Sequence, residues 1–228
     1  MPKNALGRVV EIRSEPGGAE AVIACPAGAI PAPGQYTLAA AAGDVLGTAL
    51  FLAKSREDGF QAAQPLPAGW EPGTQLALRG PLGHGFRLPD SLQRLALVAC
   101  GESITRLLPL ASAALARQVA VTLFSDLRLP ALPAALEAFP LEALREALAW
   151  ADFLAMDVPI EDLDKLGDRL GLAAGGKSLY PGQALVQTPM PCAGLAECGA
   201  CAVKTRRGWK LACEDGPGFD LKAILSKS

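Results

Sequence analysis

The run Met190-Pro-Cys-Ala-Gly-Leu-Ala-Glu-Cys-Gly-Ala-Cys-Ala-Val203 contains three closely spaced cysteines, and a fourth follows ten residues after its end. The spacing is C-x5-C-x2-C-x11-C, and the four thiols belong to Cys192, Cys198, Cys201 and Cys213. A loop rich in glycine and alanine lets the backbone approach inorganic sulfide, so that its amides can point at the sulfur atoms. The spacing is close to the plant-type C-x4-C-x2-C pattern with a distant fourth cysteine, although the first gap has one residue more. It predicts that these four cysteines ligate a 2Fe–2S cluster.

Two other uses of the four cysteines remain open from the sequence. A structural zinc site usually pairs cysteines two to four residues apart, and only Cys198 and Cys201 are that close. Two disulfides would require an oxidising compartment, whereas the N-terminal residues Met1 to Arg8 contain no apolar signal core. The other two cysteines, Cys25 and Cys100, each end an apolar run, which is typical of buried thiols rather than ligands.

Composition excludes several classes of function. The 228 residues include 21 basic and 23 acidic side chains, for a net charge of −2, which leaves no electrostatic field for nucleic acid or an anionic membrane. No uninterrupted apolar run approaches the roughly 18 to 20 residues that span a bilayer. We therefore expect a cytoplasmic protein that binds neither nucleic acid nor membrane.

The chain changes character twice. Residues 1–90 contain short β-type runs separated by Pro-Gly, Gly-Gly and Asp-Gly turn signals, which predicts a small antiparallel β-barrel. These runs are 7–13, 20–25, 35–39, 48–53 and 74–79.

Residues 91–180 alternate between strand-like and helix-like segments. Strands are predicted over 94–100, 119–124 and 152–156, and helices over 103–117 and around 130–149. Such alternation predicts an α/β domain with a parallel sheet and helices on its faces. Residues 181–228, which contain the four clustered cysteines, form a third unit that we call the cysteine module.

Three stretches, together with this order of units, resemble one known family. They are Pro33-Gly-Gln-Tyr36, Gly80-Pro-Leu-Gly-His-Gly-Phe86 and Cys213-Glu-Asp-Gly-Pro-Gly-Phe-Asp220. The chain resembles the electron-transfer subunit of heteromeric, NAD-linked dihydroorotate dehydrogenases, a branch of the ferredoxin reductase superfamily. The resemblance covers nearly the whole chain and is most specific at the C-terminus.

The resemblance implies an electron relay. NADH would give a hydride to FAD between the barrel and the α/β domain, and FAD would pass single electrons to the 2Fe–2S cluster. The cluster would exchange them with FMN in a separate catalytic subunit that interconverts dihydroorotate and orotate in pyrimidine biosynthesis, with the two subunits forming a heterotetramer. Two alternatives remain: the chain is the electron-transfer subunit of another oxidoreductase complex, or it is a non-redox structural subunit whose tail binds zinc.

The flavin and nicotinamide motifs of that superfamily are degenerate in this chain. Its Arg-x-Tyr-Ser motif is met by Thr48 in place of arginine and Phe51 in place of serine, and its Gly-Thr pair by Gly59-Phe60. The positions that correspond to an FAD site are Thr48, Ala49, Leu50, Phe51, Gly59 and Phe60. Where a glycine-rich turn should hold the nicotinamide dinucleotide phosphates, the chain has Ala99-Cys-Gly-Glu-Ser103. FAD binding is therefore left open, and NAD is not expected to bind strongly.

Three other features receive less weight. Residues 171–178 fit the phosphate-loop expression G-x-x-x-x-G-K-[ST], but a helical pattern precedes them and Tyr180-Pro181-Gly182 prevents a helix from following. We interpret this stretch as a connection into the cysteine module. His84, the single histidine, is interpreted as a turn residue. Trp209 lies between the third and fourth cysteines, where it either shields the cluster or packs in the ordinary way.

Overall fold

The computed structural model describes residues 3–15, 18–63, 66–67, 69–169, 171, 180–196 and 198–225. Among these residues, none of the helices has the length and apolar character needed to cross a membrane.

The N-terminal strands close into an antiparallel barrel. They are β1 (Lys3–Glu15), β2 (Gly18–Ala24), β3 (Tyr36–Ala41), β4 (Thr48–Arg56), β5 (Gly59–Ala63) and β6 (Gln75–Leu82). Their order around the barrel is β1-β2-β5-β4-β3-β6, so that β6 returns to pair with β1. Alternate side chains fill the interior, where Ile23, Leu50 and Phe60 are fully buried. The barrel predicted from the turn signals is therefore confirmed.

A six-stranded sheet follows the barrel. The remaining strands are β7 (Arg94–Ala99), β8 (Ala120–Phe124), β9 (Leu136–Phe139), β10 (Phe153–Pro159), β11 (Gly182–Gln187), β12 (Ala202–Thr205), β13 (Gly208–Leu211) and β14 (Gly218–Asp220). The helices are α1 (Leu108–Ala116), α2 (Leu144–Ala147), α3 (Leu163–Arg169) and α4 (Leu221–Ile224). The sheet order is β14-β11-β10-β7-β8-β9, and only the pairing of β14 with β11 is antiparallel. Strands β12 and β13 form a separate hairpin.

Both faces of the sheet are covered, as its central strands show. In β7, Leu95 and Leu97 pack into the core that contains buried side chains of α1, whereas Ala96 and Val98 pack into a second core. That second core also contains side chains of the barrel and the cysteine module. Burial on both faces explains why the sequences of β7 and β10 are nearly continuous apolar runs.

The predicted helices of the α/β domain need correction. The helix expected over 103–117 begins only at Leu108, with Pro109 in its first turn, where proline is best tolerated. The helical prediction around 130–149 is mostly wrong, because this region contains strand β9 and only the short helix α2. Pro130, Pro133 and Pro140 lack the backbone N–H that a continuous helix would need.

The cysteine module shares structure with the rest of the chain. Strands β11 and β14 follow residue 180 and yet belong to the six-stranded sheet. The domain limits 1–90, 91–180 and 181–228 stay a prediction. The six-stranded sheet crosses the predicted boundary between residues 180 and 181.

Two of the stretches that carry the family resemblance meet at the junction of barrel and module. The backbone amide of His84 donates to the Gly216 carbonyl, and the amide of Gly218 donates to the His84 carbonyl at 2.9 Å. Gly83 has a φ of +71°, and a Cβ there would lie 2.6 Å from the Gly216 oxygen. This close approach requires glycine and joins the module firmly to the barrel.

Candidate iron–sulfur centre and the adjoining cleft

The β12–β13 hairpin brings Cys201 and Cys213 together. Cys201 immediately precedes β12 and Cys213 follows β13 by two residues, so the strand pairing places both at the base of the hairpin. The Ala212 amide donates to the Cys201 carbonyl at 3.0 Å. The two Sγ atoms lie 3.3 Å apart, and both residues are buried. These two thiols form the inner pair.

A tight loop brings Cys192 and Cys198 together as the outer pair. Their Sγ atoms also lie 3.3 Å apart, with Cys192 half-buried and Cys198 exposed. The loop turns through Ala193, Gly194 and Gly199, each of which has a positive φ. The small side chains predicted to let the backbone fold closely around the thiols are therefore at its turns.

Two separate pairs fit a two-iron cluster better than one metal ion. In a 2Fe–2S cluster held by four cysteines, each iron takes two thiolates, whereas a structural zinc takes all four ligands at one centre. Within the described ranges, no third Cys, His, Asp or Glu joins either pair closely enough to share a single ion. None of the four cysteines forms a disulfide. The donor set therefore fits the group that the spacing predicts.

Cys192 and Cys213 differ in how readily they lose a proton, as their pKa values show. Backbone hydrogen bonding at Ala196, followed by the Cys198 thiol and the backbone of Gly194, lowers the pKa of Cys192 to about 7. Burial, reinforced by the neighbouring Cys201 thiol, raises the pKa of Cys213 to about 12. A coordinated metal deprotonates its thiol ligands outright, so the Cys213 thiol, which stays protonated at neutral pH, would need bound iron to become a thiolate.

Cys25 and Cys100 lie outside both pairs. Burial raises the pKa of each to about 11, with Asp58 adding to the effect at Cys25. Both thiols stay protonated at neutral pH, in agreement with their interpretation as packed thiols.

The candidate FAD positions divide between the barrel interior and its outer face. Leu50 and Phe60 point into the barrel core and are fully buried, so they could reach a cofactor only through their backbone. Gly59 is also enclosed, because a Cβ there would collide with the Ile23 carbonyl. Thr48 and Ala49 are half-buried at the start of β4. No charged side chain belongs to this set.

The side chain of Phe51 lies where the barrel meets the segment 100–107, and we call this region the cleft. Its ring contacts Tyr36, with 5.9 Å between ring centroids. The Arg106 guanidinium lies 5.7 Å from the centroid of the same Phe51 ring. Two side chains of the protein, Tyr36 and Arg106, therefore contact the Phe51 ring at the position where the superfamily has serine.

A buried ion pair that the sequence analysis missed fixes Arg106. Its Nε donates to Asp157 Oδ2 at 2.9 Å, and Gln187 Nε2 donates to Asp157 Oδ1 at 2.6 Å. Arg106 is 5% exposed and Asp157 is fully buried. The signal was a lone carboxylate within the apolar strand β10. Because Arg106 is engaged by Asp157, it does not offer a free cation in place of the arginine missing at Thr48.

The turn expected to hold nicotinamide phosphates follows β7. The Cys100 amide donates to the Asp157 carbonyl at 2.9 Å, and the Ser103 and Thr105 hydroxyls lie 2.9 Å apart. Glu102 is exposed. The amide of Cys100 is thus already used within the protein, and a negative charge stands beside the turn.

The three features given less weight have different outcomes. His84 is exposed in the turn that pairs with Gly216 and Gly218, in agreement with its interpretation. Trp209 is 69% exposed, so it neither packs in the core nor is enclosed over the thiols. Of the stretch 171–178, all but Gly171 lies outside the described residues.

Comparison with known proteins identifies the cysteine module. Residues 189–225 match the family model for the iron–sulfur cluster binding domain of dihydroorotate dehydrogenase B. This match includes all four paired cysteines. No curated protein sequence matches the chain.

Solved structures show the same fold over most of the chain. An NADH-dependent reduced ferredoxin-NADP oxidoreductase superposes with a TM-score of 0.75 at 20% identity, covering 99% of this chain and 92% of that one. The ferredoxin reductase of carbazole 1,9a-dioxygenase gives 0.60 at 20% identity over 75% and 64% of the two chains. A ferredoxin NADP+ reductase from Neisseria gonorrhoeae gives 0.55 at 14% identity over 78% and 94%.

These findings confirm the fold class and the resemblance predicted from the sequence. A β-barrel, a parallel α/β sheet and a cysteine module occur in the order of the ferredoxin reductase fold, and the module matches an iron–sulfur domain. Together they support an electron-transfer subunit that carries an iron–sulfur site.

Proposed function

We propose that this chain is the electron-transfer subunit of a cytoplasmic dihydroorotate dehydrogenase complex. Cys192, Cys198, Cys201 and Cys213 would hold a 2Fe–2S cluster, and an FMN-containing catalytic subunit would carry out dihydroorotate chemistry in a heterotetramer. When bound, the cluster would supply one-electron transfer between flavins. The observation that carries the proposal is the presence of two thiol pairs, each with 3.3 Å between sulfur atoms, inside the matched segment 189–225.

The positions of the two pairs support a relay between an interior and a surface. The inner pair faces Tyr36 of the barrel, whose hydroxyl donates to the Cys213 carbonyl, whereas the outer pair includes the exposed Cys198. Electrons could enter from the cleft side and leave on the exposed side. Because a relay of this kind transfers only electrons, it needs no base for proton abstraction from carbon. In the proposed complex, the catalytic subunit carries out that step.

The decisive experiment combines metal analysis with partner reconstitution. The chain, purified anaerobically with a co-expressed FMN-containing dihydroorotate dehydrogenase subunit, should contain two irons and two sulfides. Dihydroorotate should reduce the cluster, as detected by electron paramagnetic resonance, only when both subunits are present. A colourless chain that contains zinc would favour the structural alternative, and turnover of dihydroorotate by the chain alone would contradict the division of labour.

A groove beside the outer pair supports a docking site for the catalytic subunit at this surface. It has a volume of about 650 Å³ and a mainly apolar lining that includes Leu38 and Leu195. Leu195, between Cys192 and Cys198, is 68% exposed, and Leu6 on β1 is 76% exposed. Exposed leucines around an apolar groove are typical of a protein interface.

We expect Leu195→Asp to weaken binding of the catalytic subunit about tenfold or more, because buried apolar anchors dominate interface energies. Titration calorimetry of the two subunits measures this change. Val45→Asp is the matched control, since Val45 is 95% exposed and outside the groove. Equal affinity of Leu195→Asp and the wild type would exclude this groove as the interface.

The positions that correspond to an FAD site lack a cation for the pyrophosphate. The fold supports an FAD site at the barrel, but Thr48 supplies no charge where a pyrophosphate would need it. A charge-assisted hydrogen bond is worth about 1.5 to 3 kcal/mol, so its loss lowers affinity by roughly ten- to a hundredfold. We expect less than one FAD per chain after purification unless the partner subunit closes the cleft, and slow direct oxidation of NADH.

Thr48→Arg should recover most of that affinity, as measured by FAD fluorescence quenching on titration. Gln75→Arg, which adds the same charge at an exposed position on β6, should leave the affinity unchanged. One tightly held FAD per wild-type chain would show that other barrel residues bind the pyrophosphate.

A further inference from the structure

A side chain of the barrel donates a hydrogen bond to a backbone carbonyl at each thiol pair. Arg79 Nη1 on β6 donates to the Ala193 carbonyl at 2.9 Å, directly after Cys192 of the outer pair. Tyr36 Oη on β3 donates to the Cys213 carbonyl of the inner pair at 3.0 Å. Each half of the cysteine module is therefore held by one side chain from the N-terminal barrel.

The Tyr36 contact is enclosed. Tyr36 is fully buried, and its ring packs against Phe51. Because the phenol is enclosed, water does not compete for its hydrogen bond to the Cys213 carbonyl.

Arg79 holds a strained part of the backbone. Ala193 has a φ of +43°, in the left-handed region that residues with a Cβ rarely adopt, and it is 2% exposed. Such a conformation persists only where surrounding contacts maintain it. The hydrogen bond from Arg79 to the Ala193 carbonyl is one of those contacts, and it fixes the turn that places Cys192 beside Cys198.

The charge of Arg79 is available to the cluster site. Nη1 of Arg79 lies 2.9 Å from the carbonyl oxygen of Ala193, the residue that follows Cys192, so the guanidinium lies beside the outer pair. Among the ion pairs of the described residues, none includes Arg79. A four-cysteine cluster is negatively charged and gains another negative charge on reduction, so a nearby cation favours the reduced form.

We propose that Arg79 and Tyr36 are positioning residues of the iron–sulfur site, and that Arg79 also raises the reduction potential of the cluster. This inference rests on the proposed function, because it requires a cluster at the four cysteines. It assigns the barrel a direct part in the cluster site in addition to any flavin binding.

The test uses the isolated full chain, reconstituted anaerobically with ferrous iron and sulfide. Its midpoint potential is measured by redox titration followed by electron paramagnetic resonance, and cluster retention by the rate of iron loss to a chelator. Arg79→Gln should lower the ratio of reduced to oxidised cluster at the wild-type midpoint by roughly three- to tenfold, where tenfold corresponds to about 59 mV. Arg79→Lys keeps the charge and should shift the ratio less.

Arg8→Gln is the matched control. It removes an exposed cation from the neighbouring strand β1 and should leave the potential unchanged. An equal shift in Arg8→Gln and Arg79→Gln would indicate a general effect of net charge and would overturn the assignment of Arg79.

A second variant separates holding from charge. Ala193→Gly removes the steric cost of the positive φ, so in the Arg79→Gln background it should return iron loss to within about twofold of wild type. The potential should remain lowered, because the cation is still absent. Tyr36→Phe keeps the ring and its packing, and should accelerate iron loss several-fold in a normally folded chain.

The two levels of the proposal fail in different ways. A wild-type chain that takes up no iron overturns the proposed function and this inference with it. A wild-type chain that assembles the cluster, with wild-type potential and iron retention in both Arg79→Gln and Tyr36→Phe, overturns this inference alone.

Discussion

Replacing Cys201 with serine is expected to abolish cluster assembly, with iron and sulfide falling to near zero per chain. Cys201 is buried beside Cys213 at the base of the β12–β13 hairpin, so no other thiol can take its place without rebuilding the hairpin. Serine is nearly isosteric, but it offers a hydroxyl that stays protonated where iron needs a thiolate. Iron and sulfide analysis, with the visible spectrum, measures the loss.

Two cysteines of the same chain serve as controls for this prediction. Cys25→Ser and Cys100→Ser should keep full iron content, because both residues lie outside the thiol pairs. Circular dichroism should show that Cys201→Ser retains the barrel, whose core at Leu50 and Phe60 is independent of the cluster. Full iron in Cys201→Ser would show that the ligand assignment is wrong.

The barrel is expected to survive, although the module is less separate than the sequence suggests. The cysteine module contacts the barrel at Gly216 and Gly218 through backbone groups that do not require iron. We therefore expect local loosening near the hairpin, seen as faster amide exchange from Cys201 to Cys213, rather than loss of the fold.

The thiol ligands could be predicted from sequence because the determinants of a cluster are local. Three of the four cysteines lie within ten residues, and a single hairpin returns the fourth. The donors from the barrel could not be predicted in this way. Tyr36 lies 177 residues before its partner Cys213, and Arg79 lies 114 residues before Ala193. Their roles depend on tertiary packing that no spacing encodes.

The fold shows the same division between local and distant information. Strands with nearly continuous apolar sequences, such as β7 and β10, could be predicted because these runs reflect burial on both faces. Strand β5 was missed because Gln61, Ala62 and Ala63 have weak strand propensity, and the strand exists because the barrel closes through it. The predicted helix around 130–149 is mostly wrong, because Pro130, Pro133 and Pro140 interrupt the segment and it forms β9 and the short helix α2 instead.

The buried ion pair between Arg106 and Asp157 provides the second prediction with a large effect. Arg106→Met is expected to destabilise the chain by about 3 to 5 kcal/mol, because it leaves the Asp157 carboxylate buried without its cation. Asp157 is fully buried, and the remaining hydrogen bond from Gln187 supplies no charge. The denaturant midpoint, followed by far-ultraviolet circular dichroism, measures the change.

An exposed ion pair in the same sheet provides the control. Arg94 and Asp152 also form an ion pair, at 2.7 Å, but their side chains are 44% and 35% exposed to solvent. Arg94→Met should leave the denaturant midpoint nearly unchanged, because water replaces the lost partner. An equal fall of the denaturant midpoint in Arg94→Met and Arg106→Met would show that burial of the Arg106–Asp157 pair does not determine the loss of stability.

Removing both charges distinguishes the net contribution of the ion pair to stability from the cost of leaving one charge buried without its partner. In Arg106→Met with Asp157→Asn, no buried charge is left without a partner, so the double variant should be more stable than Arg106→Met alone. The amide oxygen introduced by Asp157→Asn can still accept the hydrogen bond from Gln187, and the backbone bond from the Cys100 amide to the carbonyl of residue 157 is unaffected. If the double variant is nevertheless less stable than the wild type, the pair contributes net stability. Arg106 would then be a fixed part of the cleft wall rather than a cation that a dinucleotide phosphate can recruit.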